Sequence, residues 1–170
     1  MEEYWYHLER SLKEINPSLF KDLAPPATKG EIDYLEKQLG ISLPKDFVKC
    51  LQIHNGQYGH AEGLFSGLEF LSTTRILAEW SIWKGLFDYG DFNDMKVESD
   101  KEINSVWWDT KWIPFTYNGS GDHLCIDLNP TTEGKTGQII TLWHDSGERN
   151  MKARSFSEWF TCFVNKMDFK

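Results

Sequence analysis

The residues with the most chemical potential share one stretch, Trp112 to Leu128, which reads WIPFTYNGSGDHLCIDL. His123, Cys125 and Asp127 alternate along it, and on an extended strand that spacing puts all three on one face. A thiol, an imidazole and a carboxylate would suit nucleophilic thiol catalysis. The spacing argues against it. Residues two apart on a strand project in parallel from Cα atoms roughly 6–7 Å apart. A nucleophile and its base need roughly 2.6–3.2 Å. A thiol packed under covering helices is the better reading of Cys125.

Within the same stretch, Asn118-Gly119-Ser120-Gly121-Asp122 has the composition of a phosphate loop. A strand follows it rather than a helix, so the helix N-terminus that favours an anion is missing. A hairpin turn is expected, with Asp122 bonded to loop amides rather than to a metal. His7, His54, His60 and His144 lack metal-ligand spacing, and no H-E-x-x-H occurs. These residues lead to the expectation of no catalytic residue, no metal and no cofactor.

A second candidate region is Asp88 to Glu102. It holds Asp88, Asp91, Asp94, Glu98, Asp100 and Glu102 against Lys96 and Lys101. The composition suits an exposed loop, either solvated or docking a basic partner. Trp107, Trp108 and Trp112 follow closely, and aromatics beside an acidic rim resemble interface composition. The partner contacts expected from this are Asp91, Asp94, Glu98, Trp107 and Trp108.

The elements that must position these groups follow from periodicity. Trp5, Leu8, Leu12 and Ile15 form one stripe of a first helix, stopped by Asn16-Pro17. Thr28 and Glu31 form a capping box before a helix carrying Ile32, Leu35 and Leu39, which Gly40 ends. Pro44 opens a helix with Phe47, Cys50, Leu51 and His54 on one face, ended by Asn55-Gly56. Thr73 or Thr74 caps a long helix in which Trp80, Trp83 and Phe87 are expected core. Val106-Trp107-Trp108 is expected to begin a β region. The alternating segments around Asn118–Asp122 predict a hairpin with one buried face. A strand over Gln138–His144, a weaker one over Glu148–Arg154, and a capped helix with Phe156, Trp159, Phe160, Phe163 and Val164 inward complete the chain. The predicted class is α+β: an antiparallel sheet flanked by N-terminal helices and a closing C-terminal helix.

At 170 residues the chain suits a single domain, spanning 1–170, with a core that needs no staples. The net charge of −8 argues against nucleic acid and permits a basic protein partner. Cys50, Cys125 and Cys162 sit among apolar neighbours without C-x-x-C spacing, so buried free thiols in a reducing compartment are expected. The charged N-terminus is not a signal peptide, and no apolar run approaches the ~20 residues of a membrane span. The expectation is a soluble, cytoplasmic protein that engages no membrane. Oligomeric state is left open.

Taken in order, the pieces resemble a known family. Ile32 to Gly56, IDYLEKQLGISLPKDFVKCLQIHNG, is similar to the N-terminal signature of the SUKH superfamily at Leu39, Gly40, Leu43, Pro44, Asp46, Phe47, Leu51, Asn55 and Gly56. Trp112-Ile113-Pro114-Phe115, Gly121-Asp122, Ile126-Asp127-Leu128 and Gln138-Ile139 add to it, as does the final capped helix. The resemblance spans about Thr28 to Lys166, with 1–27 an extra helix and linker. It implies an α+β fold, no enzymatic activity, no cofactor and a protein partner. Many bacterial members of the family it resembles are immunity proteins that bind toxins, often nucleases, so the leading expectation is an immunity protein meeting a basic toxin domain. The alternative is a regulatory scaffold like the fungal cell-wall-assembly regulators. The N-terminal helix and the acidic insertion depart from the family pattern.

Overall fold

The structure, a computed structural model, describes residues 1–167. Four helices come first: α1 (Glu2–Ile15), α2 (Pro17–Asp22), α3 (Lys29–Leu39) and α4 (Lys45–Leu51). Strand β1 (Glu69–Phe70) and helix α5 (Thr73–Tyr89) follow, then β2 (Glu98–Ser99). The remaining strands are β3 (Trp112–Pro114), β4 (Thr116–Tyr117), β5 (His123–Asp127), β6 (Gln138–Leu142), β7 (Glu148–Arg149) and β8 (Met151–Ala153). Helix α6 (Phe156–Met167) ends the described chain. The predicted α+β class holds.

The central sheet is an antiparallel meander in the order β3-β5-β6-β8. The expected hairpin is present, with Asn118 donating to the Asp122 carbonyl to close its loop. One expectation about it needs correcting. Every residue of β5 and β6 is buried, so the hairpin has two buried faces, not one. Register separates them. Ile113, Ile126 and Ile139 stand side by side on one face, and Trp112, Cys125 and Ile140 belong to the other.

Helices α1, α4 and α6 cover the first face. Phe47, Phe115 and Phe156 meet there with ring centroids 5.0–5.9 Å apart, and Trp5 packs on Phe160. Phe47, Leu51, Phe115 and Ile126 are fully buried, as expected; Trp159 and Phe163 pack against them at the edge. Ile15 is exposed, because Asn16-Pro17 turns the chain before its stripe position reaches the core.

The motif residues act as joints between elements. The Thr28–Glu31 capping box forms, and Gly40 ends α3 in the left-handed conformation. Asp46 lies in the first turn of α4, yet its Oδ2 accepts from the Ser157 amide 2.8 Å away, capping the first turn of α6 from across the molecule. Asn55 reaches α5: its Oδ1 accepts from the Thr73 amide at 2.8 Å, and its Nδ2 donates to the Thr73 hydroxyl. Gly56 has φ +70°, and a Cβ there would meet the Ser72 nitrogen at 2.3 Å. Only glycine lets these backbones approach so closely.

Candidate partner-binding face

The second face of the sheet carries a different kind of core. Trp83 from α5, Ile103, Trp107 and Trp108 from the following segment, and Trp112, Cys125, Ile140 and Leu142 from the sheet pack together. Trp83 lies against Trp108 with the rings 20° from parallel, and Phe92 bridges Trp83 and Trp107. Trp107 and Trp108 are only 8% and 3% exposed, so they are not the accessible partner contacts that the sequence suggested. They are the layer on which that region is built. Nor do they begin a strand, since the β region starts at Trp112.

Arg149 ties this layer to the sheet. Its guanidinium is fully buried and donates to the Trp107 carbonyl through Nε and Nη2, and to the Ser146 and Glu148 carbonyls through Nη1. It also lies over the Trp107 ring at 5.0 Å. Among the described residues no carboxylate is a hydrogen-bond partner of Arg149, and burial lowers its pKa to about 10. The three carbonyls share the charge by directed hydrogen bonds.

Helix α5 starts at Ser72, whose hydroxyl accepts from the Arg75 amide, and stops at Gly90 in the left-handed conformation. Trp83, Ile76 and Glu79 face inward. Phe87, expected in the core, touches Trp108 but remains 46% exposed. The acidic segment is not wholly loop either: β2 pairs in parallel with β7, and the Met151 amide donates to Asp100 Oδ2. Asp91, Asp94 and Glu98 are exposed. Among the described residues none of the three is in a salt bridge, whereas Asp88 holds Lys84 at 2.6 Å. Glu98 stands in register with Glu148, also exposed. Like charges paired across strands repel, so this edge favours a cationic neighbour.

The His123, Cys125 and Asp127 side chains are each engaged separately. Burial pushes the Cys125 thiol pKa up, which leaves no nucleophilic thiolate near neutral pH. His123 bonds the Thr116 carbonyl through Nδ1 at 2.8 Å and stacks on Tyr117. Burial lowers its pKa to about 4. Its Nε2 lies 3.9 Å from Glu79 Oε2, too far for a hydrogen bond. Asp127, its pKa raised by burial, accepts from Gln138 Nε2 and the Asn129 amide. Cys50 is likewise buried, but Cys162 is exposed, contrary to expectation, because it lies on the outer side of α6.

In the hairpin loop, Asn118 Oδ1 takes the Ser120 and Asp122 amides, the role expected of Asp122. Asp122 Oδ1 instead accepts from the His144 amide and lies 2.8 Å from His144 Nδ1. With Asp145 they bring one ligand atom each within 4.8 Å, an arrangement of residues distant in sequence that spacing did not reveal.

What sequence reasoning missed on this face is the exposed apolar set: Ile82, Leu86, Tyr89 and Met95. The available signal was that α5 has apolar residues around most of its circumference, leaving some without a core to enter.

A family model described as the SMI1 / KNR4 family (SUKH-1) matches residues 26–162. The chain belongs to this family. Among curated proteins it is 24% identical to "Cell wall assembly regulator SMI1" of Saccharomyces cerevisiae, over 96% of this chain and 40% of the relative. It is 27% identical to "Cell wall biosynthesis/cell cycle regulator smi1" of Schizosaccharomyces pombe, over 98% and 36%. It is 25% identical to a "Glucan synthesis regulatory protein" of Neurospora crassa, over 91% and 36%. The chain therefore spans under half the length of these relatives. Their names are those of regulators. Among the described residues, no helix is long and apolar enough to cross a membrane.

Proposed function

We propose that this SUKH-1 chain is a non-enzymatic, cytoplasmic regulatory module that acts by binding a protein partner, in the manner of a cell-wall-assembly regulator. The observation that carries this reading is the alignment of 91–98% of the chain with fungal proteins named as cell-wall or glucan-synthesis regulators. These names favour the scaffold reading over the immunity reading that the resemblance to bacterial members first suggested. The buried, unactivated Cys125 is consistent with a role that needs no reactive centre. Asp91, Asp94 and Glu98 are the proposed charged contacts, and Trp107 and Trp108 support them from beneath. Complementary charge there would speed encounter with a basic surface.

The test is affinity purification from the encoding organism with the wild-type chain and an Asp91→Lys/Asp94→Lys/Glu98→Lys variant. It is paired with deletion of the gene and an assay of wall integrity. The expected result is a specific protein partner lost or weakened in the variant, and a wall defect that wild type restores. A normal wall after deletion, or no stable protein partner, would overturn the reading.

A further inference from the structure

We propose that the outer face of the second half of α5 docks a basic amphipathic helix of a protein partner. The inference rests on the protein-binding reading above and supplies the chemistry of the partner.

The first observation is the shape of the helix surface. At about 100° per residue, Ile82, Leu86 and Tyr89 fall within about 60° of arc, centred about 100° around the helix from the buried Ile76 and Trp83. They are 57%, 40% and 89% exposed. A surface helix ordinarily turns polar residues outward; this one turns outward an apolar stripe spaced to receive another helix. Gly85 lies beside that stripe. Among the described residues a Cβ added there would meet nothing within 4 Å, so their packing does not require glycine. Glycine in a helix is destabilising, and here it leaves bare backbone between Ile82 and Tyr89, where a second helix could approach closely.

The second observation is charge. Helix C-termini carry partial negative charge and are ordinarily matched by basic side chains. The last turn of α5 holds none; it holds Asp88, with Asp91 and Asp94 just beyond Gly90. Lys84 answers Asp88, and Asp91 and Asp94 have no ion-pair partner among the described residues. A lysine or arginine supplied from outside would complete this terminus. The same charges disfavour the other occupants. A second copy would set acid against acid in a chain of net charge −8, and an anionic membrane would be repelled.

Fluorescence anisotropy with the full chain tests this, using two labelled 18-residue helical peptides. One carries a leucine stripe flanked by lysines; the other has glutamate for every lysine. The lysine peptide should bind, more weakly as salt rises, and the glutamate peptide should not. Ile82→Glu should weaken binding at least about tenfold, as loss of a central apolar anchor does, with the thermal midpoint unchanged because the position is exposed. Tyr34→Glu on α3 should leave binding intact. Asp88→Asn/Asp91→Asn/Asp94→Asn should flatten the salt dependence. Failure of the lysine peptide to bind, equal binding by Ile82→Glu, equal binding of both peptides, or self-association in sedimentation would each overturn the proposal. A physiological partner that binds Ile82→Glu as tightly as wild type would remove this face and leave the regulatory reading standing.

Discussion

The two faces of the central sheet are buried by different means. The face under α1, α4 and α6 is closed by phenylalanines at short range, with Phe47, Phe115 and Phe156 fully excluded from water. The face under α5 is closed by tryptophans and by a buried arginine and histidine that reach backbone carbonyls. Outside the first, α1 exposes Tyr6 and Ile15, which lie on opposite sides of the helix and form no stripe. The second carries an apolar stripe on its outer side and, at its end, carboxylates with no ion-pair partner among the described residues. One face is built for cohesion, and the other trades cohesion for a surface.

That contrast can be broken most sharply at Phe47. Phe47→Ala should cost about 3–5 kcal/mol, the usual result of removing a buried phenyl group, measured by denaturant unfolding. A cost below 1 kcal/mol would mean that the helical face is not the main source of stability.

The next largest effect belongs to the tryptophan face and depends on pH. The fold keeps His123 neutral, with its pKa at about 4 instead of 6.5. Between those values the unfolded chain takes up a proton that the folded chain refuses. Stability from this group is full above about pH 6.5 and falls as pH drops toward 4, by about 3 kcal/mol in all. His144 has the opposite sign. Its bond to Asp122 raises its pKa, so its contribution is present at low pH and lost as pH rises through the folded value. Unfolding at pH 7.5 and pH 5 should show a loss in wild type that is much reduced in His123→Gln.

Asp46→Ala should cost about 1 kcal/mol, a typical capping loss, and should raise hydrogen exchange at the start of α6. The smallest effect has the reverse sign. Gly85→Ala should stabilise the chain by about 0.5–1 kcal/mol, because the added methyl meets open space. A destabilised variant would show that Gly85 is packed in the free chain.

The sequence made local structure legible wherever a local rule governs it. The Thr28–Glu31 box, the Gly40 stop and the alternation around Asn118–Asp122 each depend on a few adjacent residues, and each formed as read. The second buried face was not legible. Alternation cannot distinguish a solvated strand face from one covered by tryptophans elsewhere in the chain. Trp107 and Trp108 therefore read as partner contacts and proved to be buried beneath the surface. The roles of Asp46 on α6 and Asp122 on His144 depend on contacts 111 and 22 residues apart, beyond any spacing rule. The exposed stripe on α5 was hidden for a related reason, since apolar residues at helical spacing read as core until the neighbouring elements are placed.

The most direct test of the division between the faces is a chemical-shift map of the full chain titrated with the lysine-flanked helical peptide. Saturating shifts confined to Ile82, Gly85, Leu86, Tyr89 and the Asp91–Asp94 turn, with Trp5, Phe47 and Phe160 unmoved, are the expected result. Shifts centred on α1 or α3, with α5 silent, would contradict it.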